Sequence, residues 1–342
     1  MIPRTDPTLQ TLSWQQQLAD GFAHPDELLK YLGIDSRQLQ ANSGAHAEFR
    51  LRLPRWFADR MERGNPADPL LRQFLPIEDE LQEYAGFVAD PVRDLAQSPL
   101  PGLIQKYRGR ALLIATGACA VNCRYCFRRH YPYQEKQLGG DNWDRARTYL
   151  AAHSGIHEVI LSGGDPLMLS DDRLARLVTA LADIPHVRRL RLHTRLPVVL
   201  PSRITSRLIS IMDSCRLDVT WVLHANHPRE LSSDLKVVLQ RVRDARITLL
   251  NQSVLLKGVN DCADTLTVLS EKLFSMGVLP YYLHQLDRVS GAAHFEVSHA
   301  RALELKQELR GRLPGYLVPR LVREVAGREA KIELSDEACK DL

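Results

Sequence analysis

Along the first hundred residues, apolar positions recur at helical spacing in short bursts, as at 14–19 and 26–32, and Pro25 with Asp26 suits a helix start. Pro and Gly break this stretch repeatedly, and Ser98-Pro-Leu-Pro-Gly102 reads as a loop. The pattern then changes. Short aliphatic and β-branched runs recur at 111–115, 159–161, 190–193, 219–223, 247–250 and 281–286, each the length of a buried strand. Between them lie amphipathic segments of helical length, at 171–183, 204–214, 234–245 and 263–276. Strands alternating with helices predict right-handed crossovers and a parallel sheet, an α/β fold behind a helical N-terminal layer.

In such folds ligands collect where loops leave the C-terminal ends of the strands. The residues that follow the runs are Cys119, Ser162-Gly163-Gly164-Asp165, Thr194-Arg195, His224, Gln252 and Asp287. Their polarity marks that end of the sheet as the place for chemistry.

The composition changes the picture little. At 342 residues, 44% hydrophobic and 25% charged, the chain is a folded globular protein of one large or two moderate domains. A net charge of +4 is too small for a dedicated nucleic-acid binder. No run approaches a membrane-spanning length, and the opening residues lack the apolar stretch of a signal peptide, so no membrane contact and a cytoplasmic location are expected.

Six cysteines are present, three of them in Cys119-Ala-Val-Asn-Cys123-Arg-Tyr-Cys126. In a reducing compartment that spacing points to a metal or cluster rather than to disulfides. An iron–sulfur cube normally takes four cysteines, and three leave one iron open to a substrate or cofactor. The competing reading is a zinc site completed by His130, which would make the chain a zinc-stabilised binding protein without turnover. The position of the triplet at a strand end, in a chain long enough to fold without a metal, favours the cluster. Cys215, Cys262 and Cys339 stand alone and are read as buried structural cysteines.

With Tyr125 between its last two cysteines, the triplet resembles the radical S-adenosylmethionine enzymes. Further segments are Cys126-Phe-Arg-Arg, Leu161-Ser-Gly-Gly-Asp-Pro-Leu, Leu196-Pro-Val-Val-Leu-Pro-Ser-Arg-Ile, Asn251-Gln-Ser-Val-Leu-Leu-Lys-Gly-Val-Asn-Asp261 and Pro280-Tyr-Tyr-Leu. Together they resemble the lysine 2,3-aminomutases over residues 101–332. The resemblance implies a partial (β/α)6 TIM-like barrel over 101–290, a helical N-terminal region over 1–100, and a short C-terminal segment, 291–342, carrying a cofactor lysine.

It also implies roles. Cys119, Cys123 and Cys126 would hold a [4Fe–4S] cluster whose fourth iron binds S-adenosylmethionine. Ser162, Gly163, Gly164 and Asp165 fall on the cofactor motif, where glycines permit close backbone approach, and His224 and Gln252 are further contacts. Moving an amino group between neighbouring carbons breaks an unactivated C–H bond, which no side-chain base can do at neutral pH, and the migrating nitrogen needs an imine. The resemblance therefore brings in pyridoxal phosphate, with Lys331 as its Schiff-base lysine and Lys106 and Arg110 at its phosphate. Lys340 is the other nearby lysine.

Arg128 falls where the family clamps the substrate α-carboxylate, a task for a planar guanidinium. Asp287 and Glu324 fall where two acids receive the distal ammonium. The chain departs from the family in two places: Glu324 stands where Asp is usual, and Gly327-Arg-Glu-Ala330 replaces a glycine-rich run before the lysine. Arg124, Arg129 and His130 are expected on a solvated or cluster-shielding face. The implied reaction converts L-α-lysine to (R)-β-lysine. The segment from Cys119 to His130 and Gly291-Ala-Ala-His-Phe resemble the branch whose product modifies elongation factor P through a lysyl ligase. Feeding a metabolic or osmolyte pool is the alternative. An electron donor is implied as a partner, and an oligomer is compatible.

Overall fold

The computed structural model describes residues 12–39 and 43–335, so Cys339 and Lys340 lie outside it. Nine strands form one sheet in sequence order: β1 (Leu103–Ile104), β2 (Arg110–Thr116), β3 (Glu158–Gly163), β4 (Arg189–Thr194), β5 (Asp218–Leu223), β6 (Thr248–Leu255), β7 (Leu279–Gln285), β8 (Arg320–Arg323) and β9 (Ile332–Glu333). Strands β2 to β8 are parallel neighbours, and β1 and β9 pair antiparallel at the two edges. One longer helix crosses between each parallel pair: Asp141–Ala152, Asp171–Ala182, Ser206–Asp213, Ser233–Asp244, Ala263–Ser275 and His299–Arg312. With right-handed crossovers, strands laid down in sequence order place all these helices on one face, and the sheet curls around the other into a partial barrel. All six expected runs are strands.

The seventh parallel strand, β8, is absent from the hydrophobic pattern because its Leu321 and Val322 are flanked by arginines, leaving no apolar run to recognise. Two crossover helices also escape the pattern. Asp141–Ala152 buries only Ala146 and Leu150, a stripe too narrow to read.

The N-terminal layer and the barrel share one core. Leu28, Phe57 and Phe74 belong to the same buried cluster as Leu113, Leu161, Leu192 and Trp221. Each such side chain contributes about 1.5–3 kcal/mol on burial, which holds the layer against the barrel. A second cluster joins Leu283 and Leu321 to Leu305 and Leu309 of the last crossover helix, seating β8 and the segment after it. Two of the lone cysteines depart from expectation. Cys262 is exposed, because it precedes the helix Ala263–Ser275 at a solvent-facing cap, and Cys215 is half-buried. No helix among the described residues is long and apolar enough to cross a membrane.

Candidate active site

The cysteine loop leaves the end of β2 and is fastened from the N-terminal side. Arg124 is fully buried, its Nε and Nη2 donating to Glu80 at 2.8 and 2.5 Å. Arg129 donates to the same Glu80 Oε2 at 2.9 Å and to the Gly291 carbonyl at 3.0 Å. These two arginines are therefore not a solvated face: Glu80, brought in by the N-terminal layer, lets both charges be buried. His130 is exposed, with Nε2 3.2 Å from the Ser290 carbonyl oxygen, and does not reach the cysteines' cavity.

Burial and the neighbouring Cys126, Asp165 and Cys123 push the Cys119 thiol well up, and burial with Cys123 pushes Cys126 to about 11. Burying Cys119 and Cys126 without enough positive charge to ionise them fits a centre whose iron supplies that charge. Among the described residues no three His, Cys, Asp or Glu side chains are placed around a single ion. A cube accommodates this spacing, since it takes its thiolates at separate corners.

Beside the loop, β3 ends in Ser162-Gly163-Gly164-Asp165. Gly163 has φ of +119°, and a Cβ there would meet the Thr116 carbonyl oxygen at 2.6 Å; one on Gly164 would meet that of Ala118 at 2.3 Å. The glycines thus let β3 and the cysteine loop touch backbone to backbone. Asp165 is committed elsewhere. Its carboxylate accepts from Thr194 Oγ1 at 2.7 Å and from the backbone N–H groups of Leu167, Arg195 and Leu196 at 3.0, 2.8 and 2.9 Å, tying the ends of β3 and β4 together. His224 and Gln252 meet, Nε2 to Nε2, at 2.7 Å. Burial, with Arg195 and Arg128 nearby, holds His224 at about 3, so the ring is neutral.

From Arg128 a ladder of alternating charges runs to Lys331. Arg128 Nε lies 2.6 Å from Asp94, Lys106 Nζ 2.6 Å from both Asp94 and Glu324, and Lys331 Nζ 2.5 Å from Glu324. Arg128 Nη1 also donates to Ser162 Oγ at 3.1 Å. Burial alone would raise Glu324, but Lys331 and Lys106 outweigh it and hold the carboxylate at about 2. Asp287 behaves in the opposite way: burial first, then the charge of Glu324, pushes it to about 7 against the pull of Lys331 and Lys106. Arg110 faces the Tyr107 ring at 5.2 Å.

One cavity of about 380 Å³ joins the three cysteines, the glycine pair and the charge ladder, and every residue to which the family resemblance assigned a cluster, cofactor or substrate role lines it, whereas His130 does not. The wall also includes residues to which sequence reading gave no role, among them Asp94, Arg195, His193 and His284. Asp94 sits in an N-terminal loop that carries no periodic signal. Arg195 follows a strand but carries no motif. His193 and His284 lie within β4 and β7, where a histidine inside an apolar strand was the available signal. Both have buried Nε2 atoms without a hydrogen-bond partner among the described residues, and burial keeps both rings neutral.

The radical SAM superfamily profile matches residues 113–267. The L-lysine 2,3-aminomutase of Escherichia coli K12 is 50% identical over 331 residues, 96% of each chain. That of Haemophilus influenzae is 45% identical over 97% of this chain and 98% of its own. The Clostridium subterminale enzyme of the same name is 33% identical over 93% of this chain and 76% of its own. These matches cover the cysteine loop, the cavity and the N-terminal layer alike, and no zinc-binding module without turnover explains them. The chain belongs to the lysine 2,3-aminomutase family of radical S-adenosylmethionine enzymes, isomerases whose cofactor set is a [4Fe–4S] cluster, S-adenosylmethionine and pyridoxal phosphate.

Proposed function

We propose that this protein converts L-lysine to (R)-β-lysine with pyridoxal phosphate held by Lys331. The observation that carries the reading is the polarity of the cavity: a buried guanidinium, Arg128, ends one side of the ladder, and Asp287 and Glu324 stand with Lys331 at the other. A free amino acid with a carboxylate at one end and an ammonium at the other matches that polarity. When bound, the cluster and S-adenosylmethionine supply the radical that breaks the C–H bond, and pyridoxal phosphate supplies the conjugated system through which the amino group moves.

The chain's own residues do the positioning. Asp94 and Ser162 aim Arg128 at the α-carboxylate, and Asp94 and Glu324 hold Lys106 beside Arg110 for a phosphate. The neutral His193, His224 and His284 add no positive charge to compete with the substrate ammonium. Release of Lys331 from Glu324 frees a carboxylate oxygen that joins Asp287 in receiving that ammonium.

The test is an anaerobic assay with lysine, dithionite, S-adenosylmethionine and pyridoxal phosphate, read by product chirality. Formation of (R)-β-lysine is expected, and turnover of a different amino acid in preference to lysine would overturn the reading. Borohydride trapping followed by peptide mapping should label Lys331; a label on Lys340 would move the site.

The product's use is proposed as modification of elongation factor P through a lysyl ligase, with a cytoplasmic location and an electron donor. Support comes from the segments Cys119 to His130 and Gly291 to Phe295, which resemble that branch. Deleting the gene and weighing the factor by mass spectrometry decides it, since unchanged modification would leave a metabolic pool as the consumer. The division into 1–100, 101–290 and 291–342 is likewise proposed; the last segment brings Glu324 and Lys331 to the cavity.

A further inference from the structure

Arg195, the residue after β4, has a buried side chain on the cavity wall, and the substrate contacts proposed above give it no role. Its Nη1 donates to Cys123 Sγ at 2.8 Å and meets the Tyr125 hydroxyl; its Nη2 donates to Glu230 Oε2 at 2.9 Å and to Gln73 Oε1 at 2.7 Å. Glu230 is completely buried. Its Oε1 accepts from the N–H groups of Asn226 and His227, both at 3.0 Å, and from Gln73 Nε2 at 3.1 Å. Asn226 completes the ring by donating to the Tyr125 hydroxyl at 2.6 Å. This is a rigid network, closed on itself, with one positive group against a cysteine sulfur and one negative group immediately behind it.

A buried ion pair adds little stability over apolar packing of the same volume, so its presence calls for another reason. Position supplies one. Reducing an iron–sulfur cluster adds one negative charge, shared with its thiolates. A donor and a fixed cation at a ligand sulfur stabilise the reduced form, and an anion nearby opposes it. Arginine keeps its charge throughout.

We propose that Arg195 and Glu230 set the reduction potential of the cluster, Arg195 raising it and Glu230 limiting the rise. The step affected is transfer of one electron from an external low-potential carrier to the cluster. The carrier is oxidised, the cluster reduced, and neither residue gains or loses a proton. The inference rests on the cluster that comes with family membership and not on the choice of substrate.

The experiment is a potentiometric titration followed by electron paramagnetic resonance. It is run on anaerobically reconstituted wild-type, Arg195→Gln and Glu230→Gln protein without S-adenosylmethionine, iron being counted first. Arg195→Gln should lower the midpoint and Glu230→Gln should raise it. A tenfold change in the reduction equilibrium corresponds to about 59 mV for one electron. Arg195→Lys, which keeps the charge, should stay nearer the wild type. Shifts of the same sign, or none, would overturn the proposal, because loosening a structural strut has no reason to act in opposite directions. Should Arg195→Gln fail to hold iron, Glu230→Gln decides alone: a raised midpoint supports the proposal, and an unchanged or lowered one ends it. Wild-type protein that takes up no iron would overturn the cluster assignment itself, and this inference with it.

Discussion

Replacing Glu80 with Gln removes the carboxylate that Arg124 and Arg129 share, while keeping the shape of the side chain. Three charge-assisted contacts at 2.5, 2.8 and 2.9 Å are weakened together, and the side chains of all three residues are fully buried. Burial already pulls Arg124 below its ordinary range in spite of Glu80. Without that partner, two like charges remain in dry protein. Breaking a buried pair in this way costs about 3–5 kcal/mol, and one retained amide oxygen places Glu80→Gln at the lower end. That is a large part of a typical total of about 5–15 kcal/mol. Urea unfolding of the iron-free protein, followed by tryptophan fluorescence, should show the loss. Because Arg124 and Arg129 flank Cys123 and Cys126, iron retained after anaerobic reconstitution should fall as well. A loss below about 1 kcal/mol with unchanged iron would refute the idea that the N-terminal layer clamps the cysteine loop through this carboxylate.

Three further outcomes are expected. Asp287, pushed up to about 7 by burial and then by Glu324, must be ionised to receive an ammonium, so lysine affinity should rise with pH through 7 and fall about tenfold per unit below it. Calorimetric titration of the cofactor-loaded protein with lysine measures this, and a pH-independent affinity between 6 and 8 would exclude the role. By linkage the same raised carboxyl contributes stability that is complete below its unfolded value near 4 and is lost as pH climbs through 7. Gly164→Ala would drive a Cβ into the Ala118 carbonyl, 2.3 Å away, where only backbone can yield. A destabilisation of about 1–3 kcal/mol is expected, with weakened S-adenosylmethionine binding, as read by a thermal melt and equilibrium dialysis. An unchanged melt would show that the strand end gives way freely.

The legible part of the site was the part carried by local spacing. Three cysteines on one loop, a glycine pair at a strand end and a lysine near the C-terminus stand in recognisable order along the chain, and all line one cavity. Asp94 was not legible, because an acid in a Pro- and Gly-broken loop looks like any solvated residue until folding places it against Arg128 and Lys106. The solvated alternative for Arg124 and Arg129 failed for a related reason. An arginine pair reads as surface wherever its countercharge is distant in the chain, and Glu80 lies 44 residues from Arg124.

The chain's periodicity alone determined most of the alternation of strands and helices, β8 and two crossover helices excepted, and with it a parallel sheet whose strand ends carry the polar residues. Side-chain direction in a strand or helix repeats over a few residues and leaves its mark on sequence. The charge of each group was decided only in the folded state. Glu324 at about 2 and Asp287 at about 7 are both carboxylic acids, and neither value can be read from residue type. They part because folding surrounds one with two lysines and buries the other beside a second acid. Burial and distance, which fix such energies, exist only once remote segments have packed together.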